Sequence, residues 1–485
     1  MEYILKDKQP QALLHYFEEI AAIPHGSGNT KAIRAYLVGF AKERGLRHLE
    51  DKAGNVVIYK DASAGYEDAA PVILQGHMDM VCEKRQGVSI DMEREPIKLR
   101  LDDDFLSAEG TTLGADDGVA IAAMLAILDD DTLAHPPLEC LMTVDEETGL
   151  YGALQFDASA LRGRRLLNLD SEEEGLMTAG CAGGAHVCCT VPVSRKNKHG
   201  LPLHLTISGL KGGHSGDEIG SGRASANQLM GRLLQTLRGK TVLRLLALDG
   251  GSKDNAITRE CEADVLLPEA ASRSKIEKAL RAFEAQLKNE YQFTDPDVSV
   301  GYTWEEERKC RVVGKKTTDR LVRLLPCLPY GVQEYSPVFH GLPQTSLNLG
   351  SLHLKEEALE ADFLVRSSID SQKAMMTARL AALLELADGA AQVESEYPAW
   401  QYVSKSPFRE TCIAVYRQLT GKEPRVEMIH GGLECGIFSG KMQGLDAVSI
   451  GPDTEGIHTP DERVSLSSLE RMWQYVTALL AALKE

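Results

Sequence analysis

Short apolar runs alternate with helical patterns along the first part of the chain, as ALLHYFEEIAAI, NVVIYK, PVILQGHMDM, GVAIAAMLAILDD, LECLMTVDEE and RRLLNLD. β-rich runs of that length, separated by helix-sized stretches, are the rhythm of an α/β domain, and few other architectures accommodate it. GVAIAAMLAILDD, rich in Ala, Leu and Met, opens after a GADDG turn and reads as a buried helix. From about residue 187 the pattern changes. LPLHLTISGL and CEADVLLPEA read as strands, and SANQLMGRLLQTLRG and SKIEKALRAFEAQLKNEY as amphipathic helices. TSLNLGSLHLKEEALEADFLVRSSIDSQKAMMTARLAALLELA then repeats paired strands followed by a long helix. After AQVESEYPAWQ the tail returns to helix, strand and helix. The expected fold is an α/β domain from residues 1–186 and 395–485, its mixed sheet flanked by helices, with an inserted, internally duplicated α+β domain over 187–394. At 485 residues the chain exceeds what a single hydrophobic core serves.

A formal charge of −18 argues against nucleic-acid phosphates and anionic membranes as partners, because both need clustered Lys and Arg. No stretch of about twenty apolar residues is present, so no membrane span is expected. The acidic N-terminal stretch MEYILKDKQPQALLHYFEEI lacks the character of an export signal, which leaves the cytoplasm as the expected location. There the ten cysteines, none in a CxxC pair, are expected to stay reduced and mostly buried.

Five segments place a metal-ligand or proton-transfer group at the carboxyl end of a β-rich run, the edge where open α/β sheets bind ligands. They are QGHMDM with His77 and Asp79, GADDG with Asp116 and Asp117, TVDEETG with Glu146 and Glu147, LNLDSEEEG with Asp170, and GPDTEGIHTPDE with His458. A single His at a strand end is ordinarily a satisfied core or surface residue, and adjacent acids are ordinarily a solvated turn. The joint occurrence points to metal. Two zinc ions, with manganese or cobalt as alternatives, accept such nitrogen and oxygen donors and can share a carboxylate. In that scheme His77 and Asp170 hold one ion, Glu147 and His458 the other, and Asp116 bridges them. Asp79 is left to orient the His77 imidazole, and Glu146 to act as general base. Asp79, Asp116, Glu146, Glu147 and Asp170 together would bring five negative charges into one place, which like-charge repulsion forbids without protons or cations.

The blocks QGHMDM, EGTTLGADDGVA, DEETGLYGA, LNLDSEEEG, CAGGA, GLKGGHSGDEI, HGGLECG and SIGPDTEGIHTPDE closely resemble the aminoacyl-histidine dipeptidases, also called peptidase D or cytosol nonspecific dipeptidases. These are co-catalytic zinc peptidases related to carnosinases, and the likeness runs over nearly the whole chain. The resemblance implies the same five ligands, Asp79 and Glu146 in the roles just given, and an inserted domain that acts as a lid. It also implies a cis peptide bond between Asp116 and Asp117. Two positions depart from the family pattern: Asp117 stands where relatives carry Asn, and Asp145 where they carry Thr. Both add negative charge, with a shift of metal preference or pH optimum as the expected effect.

The resemblance also assigns His214, in GLKGGHSGDEI, to the oxyanion of the scissile carbonyl, and Asn255 and Arg366 to substrate binding. Arg suits a substrate carboxylate through its planar fork; the lesser alternative for Arg366 is a surface strand residue paired with Asp362 or Asp370. Gly432 and Gly436 in HGGLECG are expected to line the pocket through their backbone, while His430 and Glu434 receive no role. PHGSGNTKAIRAYL lacks the P-loop pattern, so Ser27 or Thr30 reads as a helix cap. The leading expectation is hydrolysis of small peptide substrates, dipeptides including Xaa-His types such as carnosine. An N-acyl amino acid amidohydrolase or aminopeptidase on the same core, and a scaffold protein that has lost the chemistry, are the alternatives. A lid of roughly two hundred residues favours supply of His214 within one chain. A homodimer is compatible with the sequence without being needed for catalysis.

Overall fold

The computed structural model describes residues 3–484, which form two compact units. The first comprises the chain up to residue 181 with 402–428 and the stretch from 433 onward; the second comprises 182–401 and 429–432. The boundaries expected at 186/187 and 394/395 fall inside the strands Gly183–Pro192 and Ala390–Tyr397. Composition shifts along these strands, but the hydrogen-bonded ladder does not break there.

The first unit is built on an eight-stranded sheet. Its centre is parallel, Leu138–Thr143, Val72–His77, Arg165–Asn168 and Asp446–Ser449 lying side by side. Antiparallel strands Arg47–Glu50 and Val56–Lys60 flank one side. Leu176–Cys181 and Arg425–Ile429 flank the other, the first of them antiparallel to Asp446–Ser449. The sheet is therefore mixed, with its central parallel strands buried almost throughout. The helix Ala115–Asp129 is apolar on every side and buried on every side from Gly118 to Leu128, packed against Phe17 and Ile20 of the helix Gln11–Ala21. Register sets the site: His77 pairs with Thr143 and Gln75 with Asn168, so three parallel strands end together and release their next residues at one edge.

The second unit is α+β. Its sheet runs in the order Ser299–Trp304, Arg195–Ser208, Cys261–Leu267, Arg244–Gly250, Pro343–Leu354, Ala358–Ser367, Gly183–Pro192, Ala390–Tyr397, with two short strands added alongside. The order is symmetric about the junction of Arg244–Gly250 with Pro343–Leu354. Read outward from that junction, each half presents its second, third, first and fourth strand in chain order, and a helix precedes each outermost strand: Arg273–Glu290 in one half, Asp370–Glu385 in the other. Two split β-α-β units thus share one sheet. The duplication is plainer in this topology than in the residues. The whole first half is threaded between the first and second strands of the other.

Candidate active site

At the carboxyl edge of the first unit's sheet, His77 ends its strand 1% exposed. Its Nδ1–H donates to the Asp79 carbonyl at 2.9 Å, which fixes the tautomer and leaves Nε2 as a lone-pair donor. That Nε2 lies 3.0 Å from Asp116 Oδ1 and 3.8 Å from Asp170 Oδ1. On the other side, His458 Nε2 lies 3.2 Å from Asp116 Oδ2 and 3.0 Å from Glu147 Oε1. The two oxygens of one carboxylate therefore face one imidazole each. Potential ligand atoms of His77, Asp116 and Asp170 lie within 4.8 Å of one another, as do those of Asp116, Glu147 and His458. Glu146 adjoins both groups, forming a third with His77 and Glu147.

Backbone geometry serves this convergence. Asp116 and Asp117 carry non-helical φ/ψ at the head of the Ala115–Asp129 helix, and the peptide bond between them is cis, as the resemblance implied. His458 sits at φ 59° and Asp145 at φ 53°, both in the left-handed region. Asp145 Oδ1 accepts the Gly28 amide at 2.7 Å, so the first extra charge is spent on a loop. The second, Asp117, is buried and accepts the His77 amide at 3.1 Å. Burial, opposed by His77 and reinforced by Asp116, drives its carboxyl far above the usual range.

The electrostatics are those of a crowded acidic cluster. Burial and neighbouring carboxylates raise the pKa values of Glu146 and Asp170 well above normal. His458, hydrogen-bonded to Asp116 and Glu147, is pushed up to about 10. Burial opposes protonation of His77, but Asp116 and Asp79 overcome it and its pKa rises. Glu147 Oε1 is buried, and His458 Nε2 at 3.0 Å is the group it faces. Imidazole nitrogens and carboxylate oxygens, with the Asp116 carboxylate shared between the two imidazoles, form a set that fits a pair of divalent cations.

Three further residues hold this arrangement, for which local patterning suggested other roles or none. Ser27 does not cap a helix; its hydroxyl donates to Asp79 Oδ2 at 2.8 Å, while Asp79 Oδ1 accepts the Glu146 amide at 3.0 Å. Thr30 makes no side-chain cap either. Glu462, 2% exposed, accepts the amides of Leu113, Gly114, Ala115 and Asp116 at 2.7 to 3.3 Å, fixing the loop that presents Asp116. Glu434, fully buried, accepts from Gln75 and from Thr143 Oγ1 at 2.6 Å, and Gln75 in turn accepts from Asn168 at 2.7 Å. Gln75, Thr143 and Asn168 lie just before His77, Glu146 and Asp170, so one carboxyl, pushed up to about 7 by burial, ties three ligand-bearing strand ends together. The only signal for Glu462 was its place in GPDTEGIHTPDE.

The second unit gathers a different group. His214 lies on a two-residue strand paired with Ala256, and the Asn255 carbonyl accepts the Ser215 amide at 2.8 Å, so His214 and Asn255 are neighbours. Asn348 Nδ2 donates to the carbonyls of Asp254 and Ala256, pinning the loop that carries Asn255. His214 Nδ1 is 3.0 Å from Asp217. Arg366 comes to the same place: a Cβ on Gly216 would stand 2.9 Å from the His214 ring and 3.6 Å from the Arg366 guanidinium. Arg366 is 5% exposed and forms no ion pair among the described residues. Asp362 takes Ser351 instead, and Asp370 takes Lys373 and the Ala399 amide. Gly432 packs against the Tyr397 ring. Gly436 is no loop residue: it is buried in the first turn of the helix Glu434–Lys441, its N–H bonded to the Leu433 carbonyl. Seven of the ten cysteines are buried.

Comparison with known proteins agrees over the length of the chain. The cytosol non-specific dipeptidase of Escherichia coli (strain K12) is 38% identical over 482 residues, 98% of each chain. The aminoacylhistidine dipeptidase structure from Vibrio alginolyticus matches with a TM-score of 0.89 at 35% identity, covering 99% of this chain and 98% of that one. Aminopeptidase PepT from Bacillus cereus ATCC 10987 shares the fold, with a TM-score of 0.58 at 16% identity and coverage of 99% and 100%. Residues 73–482 match the family described as Peptidase family M20/M25/M40, and the chain belongs to that family.

Proposed function

We propose that this peptidase hydrolyses unblocked dipeptides, Xaa-His types such as carnosine included, in the cytosol. The observation that carries the reading is the Asp116 carboxylate, one oxygen toward His77 and the other toward His458. The names of the two close relatives, a cytosol non-specific dipeptidase and an aminoacylhistidine dipeptidase, support the substrate class and the compartment. Among the described residues no helix is long and apolar enough to cross a membrane.

His77 and Asp170 would hold one divalent cation, Glu147 and His458 the other, with Asp116 common to both and zinc favoured by the donor set. Bound there, the cations supply Lewis acidity toward the scissile carbonyl and make water more acidic. The protein's own part is to move protons and place the substrate. Glu146, half-buried beside both ligand groups, takes the proton of the attacking water and delivers it to the leaving amine. Asp79 acts on His77 and holds the Glu146 backbone. His214, oriented by Asp217, donates to the oxyanion, Asn255 contacts the substrate, and Arg366 takes its terminal carboxylate.

Purified protein assayed on dipeptides and N-acetyl amino acids, with and without zinc, manganese or cobalt, tests the reading. Release of amino acids from free dipeptides is expected; release only from the acylated compounds overturns the dipeptidase assignment in favour of an amidohydrolase. Glu146→Ala is expected to lower turnover by about 1,000-fold with metal content unchanged, measured by elemental analysis beside kinetics.

A further inference from the structure

Resting on Arg366 as the carboxylate-binding group, we infer that Tyr397 is its positioning residue, and that Gly184 and Gly432 are glycines because the tyrosine ring lies against them. Four strands of the second unit place Ser346, Arg366, Gly184 and Tyr397 in one cross-strand row, each the register partner of the next. Arg366 and Tyr397 are thus separated by a whole strand, about 10 Å in backbone spacing, too far for most side chains to meet over an intervening residue. The intervening residue is Gly184. A Cβ there would stand 2.5 Å from the Tyr397 ring. The ring occupies that space and brings its hydroxyl to 3.1 Å from Arg366 Nη1.

The other side of the ring meets Gly432, where a Cβ would stand 2.9 Å from Tyr397. That segment is fixed in turn: the Ala182 amide bonds to the carbonyls of Ile429 and Gly431, and His430 Nε2 bonds to Ser346 Oγ at 2.7 Å. Ser346 begins the row, so the frame around the guanidinium closes on itself. With Nη1 held by Tyr397, the Nε and Nη2 edge of Arg366 meets no acceptor among the described residues, and Nε is buried. This is the edge that takes a carboxylate through two parallel hydrogen bonds. A guanidinium locked by one nitrogen offers that edge in a single pose, so Tyr397 sets where a substrate must end.

The test compares dipeptides with the same dipeptides as C-terminal amides, on wild type, Tyr397→Phe and Gly432→Ala. Wild type is expected to prefer the free acid through KM. Tyr397→Phe, which keeps the ring and loses the hydroxyl, is expected to raise KM for the acid about tenfold, to change kcat less, and to shrink the acid-over-amide preference. Gly432→Ala, which displaces the ring, is expected to move KM the same way. A wild type that prefers the acid, with a Tyr397→Phe variant that keeps both KM and preference, overturns the role of Tyr397 alone. A wild type that turns over acid and amide equally overturns the carboxylate role of Arg366, and Tyr397 with it.

Discussion

In the first unit five carboxylates, Asp79, Asp116, Glu146, Glu147 and Asp170, converge around His77 and His458, whereas in the second a single guanidinium, Arg366, is buried with no carboxylate in contact among the described residues. Both arrangements are costly alone. Packed carboxylates repel unless protons or cations intervene, and a buried cation without a counter-charge loses its hydration for nothing in return. The sign of the imbalance says what each unit is built to receive: cations in the first, an anionic group in the second. The supports differ too. The acidic cluster is framed by carboxyls and amides, Glu434 and Glu462 among them, while Arg366 is framed by a neutral hydroxyl and by glycines.

Metal removal is the largest perturbation of that contrast. Chelation is expected to abolish turnover and to lower the melting of the first unit by roughly 10 °C, leaving the second unit's transition in place. Differential scanning calorimetry with and without chelator reads this; unchanged melting with full activity removes the metal site. Next is Arg366→Met, expected to raise KM for dipeptides about a hundredfold while the protein melts at or above the wild-type temperature, because an unpaired buried charge is gone. A Tm several degrees lower would mark Arg366 as a structural residue and end the comparison.

The smallest effect is one of pH. Burial, with Arg366 nearby, lowers the pKa of His430 from the ordinary 6.5 to about 3. Below about 6.5 the unfolded chain binds that proton while the folded chain does not. The stability contributed by the neutral imidazole is therefore full above that pH, falls on acidification, and is lost by about pH 3. Between pH 7 and 5 the loss is about 2 kcal/mol. Urea melts of wild type and His430→Gln at the two pH values check it: the wild type should lose more stability than the variant.

The ligands were legible because each is a local event, a β-rich run ending in His or an acid, and because five such events share one chain. His77, Asp116, Glu147, Asp170 and His458 needed no knowledge of what packs behind them. Ser27, Glu434 and Glu462 did. Their partners lie 52, 291 and 346 residues away in sequence, at Asp79, Thr143 and Asp116, and nothing near Glu434 announces a contact with Gln75. Ser27 was misread as a cap because local spacing was all there was to judge it by. Gly436 was misread as a loop because a glycine-rich run hides a helix start. The alternation of patterns gave both units and the mixed sheet, but not their edges, since Gly183–Pro192 carries the chain from one pattern into the other without pause.

The hold of Glu462 on the loop from Leu113 to Asp116 has a consequence for biosynthesis. A ribosome releases the residues for His77, Asp116, Glu147 and Asp170 long before it makes Glu434, His458 and Glu462, with the whole inserted unit translated in between. At about 5 to 20 residues per second the nascent acidic cluster waits many seconds for its second imidazole and for the carboxyl that shapes its loop. Maturation of the centre is therefore a late event, and a message truncated just before the codon for His458 yields a chain with four of the five ligands and no finished site.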